Sequence, residues 1–159
     1  MSVEFNADEA FELAQQVEKR AMEFYLQAAE SCEQKSLADV YLELSAMEAQ
    51  HEMVFAAMKD MPLTFVAPPV KREVAGQYWP VLAGSMVADV SVELPRMFQG
   101  KQTPQEILKT AMAFERDTIV FLIGIKEMLA GASERSRIDQ IIIEEMGHLI
   151  SLGSQLAKL

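Results

Sequence analysis

The chain has 159 residues, a formal net charge of −10, half of its residues apolar, and one cysteine. That length suits one domain with its own core, and no uncharged apolar run approaches a membrane span, so neither disulfides nor a bilayer is required. The acidic balance, with no basic stripe, argues against nucleic acid and anionic membrane as partners. The lone Cys32 excludes an internal disulfide and a thiolate metal knuckle. The first twenty residues lack the basic-then-apolar order of a secretory signal, so a cytoplasmic location is expected.

In chain order, four long segments read as helices. The first opens at Asn6, with Glu9 three residues on, and runs through FELAQQVEKRAMEFYLQAAE. The second opens at Ser36, with Asp39 three residues on, and ends near Asp60, where Pro62 forbids continuation. Residues 61–102 carry Pro62, Pro68, Pro69, Pro80, Pro95 and three glycines, too much punctuation for one helix. They read as a crossover with short helix around Trp79 to Leu94. The third helix opens on Thr103-Pro104-Gln105-Glu106, a capping box with proline at the first helical position, and Gly131 is expected to stop it. The fourth starts near Ser133 or Ser136 and runs to the end of the sequence. The expected fold is all-α: a single domain over 1–159, with one antiparallel helical hairpin at 6–60, the crossover at 61–102 and a second hairpin at 103–158.

Both histidines sit three residues after a glutamate, as Glu48-Ala49-Gln50-His51 and Glu145-Met146-Gly147-His148. At that spacing a helix presents both side chains on one face. Each pair follows a glutamate of the preceding helix by the same interval, Glu18 before Glu48 and Glu115 before Glu145. An offset of 97 residues superposes the two halves, laying Ala14 on Ala111, Phe24 on Phe121 and Leu44 on Ile141. The pattern is that of a duplicated hairpin.

Counting outward from the two expected turns, near residues 34 and 132, places Glu18 level with Glu48 and Glu115 level with Glu145. All four glutamates share stripes with core residues: Glu18 with Phe11, Ala14, Met22 and Tyr25, and Glu145 with Ile138, Ile142 and Leu152. Four buried carboxylates together are prohibitive without cations, whereas two divalent ions neutralise them and leave both imidazoles neutral. The candidate metal ligands are therefore Glu18, Glu48, His51, Glu115, Glu145 and His148. Such mixed carboxylate and imidazole ligation suits iron, manganese or zinc.

These residues resemble the rubrerythrin-like branch of the ferritin-like di-iron carboxylate proteins, whose bundles take a glutamate from each of two helices and Glu-x-x-His from the other two. The resemblance implies a ferritin-like four-helix bundle holding two iron ions. Glu48 and Glu145 would bridge them, Glu18 and Glu115 would be terminal ligands, and His51 and His148 would each serve one ion. It also implies reduction of hydrogen peroxide or dioxygen, with electrons from an external donor such as a rubredoxin-type protein, and a homodimer. Two departures bear on that reading. Typical rubrerythrins carry a further glutamate where this chain has Thr118, and a four-cysteine electron-transfer domain that one cysteine cannot build. The alternatives are a ferroxidase or iron-handling protein, and a non-catalytic bundle that retains a metal site.

Around this set, Tyr25 and Tyr41 lie seven residues from Glu18 and Glu48. Both are candidates to bond a ligand or carry an electron, with ordinary packing the favoured reading. Glu144 is expected to be solvated, Asp117 to be an exposed helix charge, and the methionines to fill the core. Phe65, Trp79 and Phe98 are candidate contact residues.

Overall fold

The structure is a computed structural model that describes residues 7–64 and 102–159, together with Tyr78, Val81 and Phe98. Four helices of 25 residues account for nearly all of it: α1 (Ala7–Ser31), α2 (Lys35–Lys59), α3 (Pro104–Met128) and α4 (Ala132–Leu156). Each is about 37 Å long. The expected Asn6 cap, the short helix in the crossover, Phe65 and Trp79 lie outside the described residues.

The helix ends follow the sequence signals unevenly. At the start of α3 the Thr103 side chain accepts from the Glu106 amide, while the Thr103 amide donates to the Glu106 carboxylate at 2.7 Å. That reciprocal pair satisfies two otherwise orphaned amides. The α2 helix ends at Lys59, before Pro62. Its start differs from expectation: the cap is Gln34, with no side-chain bond to the helix, and Ser36 sits inside the first turn. Gly131 is not the stop of α3 either. The helix ends at Met128, and Gly131, with φ of −74°, is instead the N-cap of α4. Arg135 satisfies the freed carbonyls, donating from one guanidinium nitrogen to Lys126 and Leu129 at 3.2 and 3.4 Å, so no left-handed residue is needed.

Two apolar cores fix the directions of the helices. One gathers Phe11, Ala14 and Val17 from the start of α1, Phe55 and Met58 from the end of α2, Phe121 and Ile125 from the end of α3, and Ile138 and Ile142 from the start of α4. The other gathers the end of α1 (Phe24, Tyr25, Ala28), the start of α2 (Leu37, Tyr41, Leu44), the start of α3 (Leu108, Ala111) and Leu152 of α4. Helices α1 and α4 therefore run one way, and α2 and α3 the other.

Side-by-side contacts join α1 to α2, α2 to α4, α4 to α3 and α3 to α1, so every neighbouring pair is antiparallel. The two hairpin turns fall at opposite ends of the bundle. Because α2 and α3 are parallel, the chain between them must travel its full length, as the sequence pattern predicts. Its two described ends agree: the Ala130 amide donates to Thr64 at one end, and Phe98 packs on Phe24 at the other. Among the described residues, no helix is long and apolar enough to cross a membrane.

Candidate metal centre

The plane where the two cores meet is not apolar. Between Val17 and Ala21 of α1 lies Glu18; between Leu44 and Phe55 of α2 lie Glu48 and His51. Between Ala111 and Phe121 of α3 lies Glu115, and between Ile142 and Leu152 of α4 lie Glu145 and His148. The structure brings all six predicted residues together, none more than 3 % exposed.

They form two overlapping groups, Glu18–Glu48–His51–Glu145 and Glu48–Glu115–Glu145–His148, with ligand atoms in each within 4.8 Å of one another. Glu48 and Glu145 belong to both. Each turns one carboxylate oxygen toward each histidine. From His51 Nδ1 it is 3.2 Å to Glu48 Oε2 and 3.0 Å to Glu145 Oε1; from His148 Nδ1 it is 3.0 Å to Glu48 Oε1 and 2.9 Å to Glu145 Oε2. The imidazoles stack at 5.6 Å.

Closeness here does not mean satisfied hydrogen bonding. Among the described residues, both oxygens of Glu18, both of Glu145, Oε1 of Glu48 and both nitrogens of His148 are buried without a hydrogen-bond partner. Donors and acceptors about 3 Å apart yet misaligned are aimed at a shared point rather than at one another. Oxygen and imidazole donors converging with excess negative charge fit divalent cations, and two such ions match four carboxylates.

Without cations the cluster must neutralise itself with protons. Burial, reinforced by Glu145 and Glu48, raises the Glu18 carboxyl well above its ordinary range; burial and Glu48 do the same to Glu115. Burial opposes charge on both imidazoles, but the surrounding carboxylates outweigh it, pushing His51 up to about 10 and His148 to about 12. Burial would raise Glu145 too, yet the two histidines hold it down at about 2. A cation entering this site displaces those protons.

Two neighbours of the cluster make contacts that depart from the favoured readings. The Tyr25 hydroxyl donates to Oε1 of Glu115, so it bonds a candidate ligand instead of merely packing. Glu144 is half-exposed, as expected of a solvated residue, but its Oε2 also lies 2.8 Å from His51 Nε2 on the facing helix. Gln140 donates to its other oxygen at 2.9 Å and, with His51, holds the carboxyl below its usual range. Tyr41 stacks on Tyr25 with ring centroids 6.1 Å apart; it is buried and its hydroxyl has no hydrogen-bond partner among the described residues. Thr118 is buried beside the cluster, and Asp117 is on the surface with Arg116.

No family model matches the sequence, and no curated protein sequence matches it. The structure, however, is similar to a crystal structure from Thermotoga maritima described as a ferritin-like diiron-carboxylate protein. The TM-score is 0.71, at 22 % identity, over 94 % of this chain and 93 % of that one. The fold is ferritin-like. In this ferritin-like bundle the conserved topology and the residue cluster are independent observations, since shared fold at such identity says nothing of individual side chains.

Proposed function

We propose that this chain is a di-iron carboxylate oxidoreductase of the rubrerythrin-like kind, reducing hydrogen peroxide or dioxygen with electrons from an external donor. The observation that carries the reading is the pair of ligand groups sharing Glu48 and Glu145, with one oxygen of each carboxylate turned to each histidine. Glu48 and Glu145 would bridge two ions, Glu18 and Glu115 would each hold one, and His51 and His148 would complete them through Nδ1. A two-fold arrangement of Glu-x-x-His favours this over the iron-storing reading. The Thermotoga maritima protein, described as diiron-carboxylate, supports iron as the metal.

Held by these six residues, a reduced iron pair would supply the two electrons that, with two protons, take hydrogen peroxide to two waters. The chain's own residues prepare that chemistry. The apolar cores on either side keep bulk water away, so charges in the belt interact strongly. Tyr25 keeps an O–H directed at Glu115, holding a proton at the edge of the centre. With Cys32 the single cysteine, these 159 residues hold no thiolate cluster to relay electrons, so the electrons would come from outside them.

Metal analysis of protein purified from iron-supplemented cells, followed by stopped-flow oxidation, tests the reading. About two irons per chain are expected, one for each ligand group, with faster oxidation by peroxide than by dioxygen. Absence of stoichiometric metal overturns it, and mineral uptake into a hollow shell moves the assignment to iron storage.

A further inference from the structure

The duplication supplies an internal control, because each contact around one ligand group has a counterpart position 97 residues away. Two such contacts occur in one half only. His51 Nε2 meets the Glu144 carboxylate, but the counterpart of Glu144 is Met47, and His148 Nε2 is buried with no hydrogen-bond partner among the described residues. Glu115 accepts from Tyr25, but the counterpart of Tyr25 is Leu122, and neither oxygen of Glu18 has a hydrogen-bond partner among the described residues. The six ligands repeat faithfully while what surrounds them does not.

Both differences act in the same direction. An imidazole that donates its outer N–H to a carboxylate is oriented and made a stronger base at the other nitrogen, and loss of such a partner costs roughly 10- to 100-fold in metal affinity. Glu144 is itself held by Gln140, which makes the support a built one. A hydrogen bond to a carboxylate oxygen stabilises its charge and takes up a lone-pair direction, which lowers its basicity toward a cation. The group with Glu18 and His51 thus combines an unshared carboxylate with a supported imidazole. The group with Glu115 and His148 combines a carboxylate committed to Tyr25 with an unsupported imidazole.

Resting on the metal-site reading above, we propose that the two metal positions are unequal: the Glu18–His51 position fills first and holds its ion tightly, and the Glu115–His148 position is the exchangeable one. Glu144 and Tyr25 are the positioning residues that set the difference.

Calorimetric titration of the metal-free full chain with cobalt(II) tests this without recourse to turnover. The expected result is two separable steps. His148→Ala should keep the tight step and His51→Ala only the weak one. Glu144→Gln should weaken the tight step about 10- to 100-fold while sparing the other. Tyr25→Phe should tighten the weak step alone. Met47→Glu, which installs the missing partner in the other half, should tighten the weak step too, so the test survives if Glu144→Gln fails to fold. Two ions bound with one affinity, or Glu144→Gln weakening both steps alike, overturn the inequality and leave the metal site standing. No cobalt bound by the unaltered chain overturns both.

Discussion

Phe121 and Glu115 lie less than two turns apart on α3, both essentially inaccessible to water, and they represent opposite kinds of interior. Phe121 belongs to a core with Phe11, Phe55 and Ile125 in which every side chain is content with apolar neighbours. A buried phenyl of this kind contributes about 2–3 kcal/mol of transfer free energy. Glu115 lies in a belt of four carboxylates and two imidazoles whose polar atoms are mostly unpartnered. The belt costs folding energy unless protons or cations fill it. The bundle is held by its two ends, and its middle is given over to polar groups that only protons or cations can neutralise.

The sharpest way to test that division is to remove a ligand shared by both groups. Glu145→Ala should lower affinity for both ions, by on the order of a hundredfold or more each, while the chain stays helical. Metal stoichiometry after dialysis and far-ultraviolet circular dichroism read the two halves of that expectation. Phe121→Ala should do the reverse, costing about 3–5 kcal/mol in denaturant unfolding of the metal-free protein, with the ligands still in place.

A third test turns on pH. In the metal-free protein Glu18 and Glu115 are raised, so the folded state holds protons that the unfolded chain gives up. The histidines, raised to about 10 and 12, add to this above their ordinary value of 6.5. Their stabilisation is present below the unfolded values and lost as pH rises through the folded ones, so the melting temperature should fall between pH 6.5 and about 10. Metal affinity should move the opposite way, because cations compete with those protons. A flat melting profile would mean the belt is not protonated as described. The smallest effect is expected outside both regions: Thr103→Ala should cost about 1 kcal/mol through loss of the α3 cap and leave metal binding untouched.

The six-residue belt was legible from sequence because a repeat in register, on helices of known rise, fixes both face and depth. The four helices were legible for the same reason, as was the cap at Thr103, where the interacting side chains are three residues apart. Ser36 misled because α2 begins without any side-chain cap, anchored instead by packing of Leu37 and Tyr41. Gly131 misled because Arg135, from the next helix, does the work a left-handed glycine would do. Glu144 was not legible as a partner of His51, and Tyr25 was legible as a candidate to bond a ligand, but not that the ligand is Glu115. Their bonds span 93 and 90 positions, and both depend on how one hairpin docks against the other. Spacing within a helix carries no such information.

Each ligand group draws on both hairpins: Glu145 of the second completes the group around His51, and Glu48 of the first completes the group around His148. Neither hairpin alone supplies a whole group. Two identical hairpins associating as separate molecules could build the same belt, but every substitution would then appear twice, related by the symmetry axis. A tyrosine facing one terminal glutamate would face the other as well. Joining the copies head to tail through the crossover frees them from that constraint, so one chain can place Tyr25 against Glu115 while Leu122 occupies the matching place in the other half.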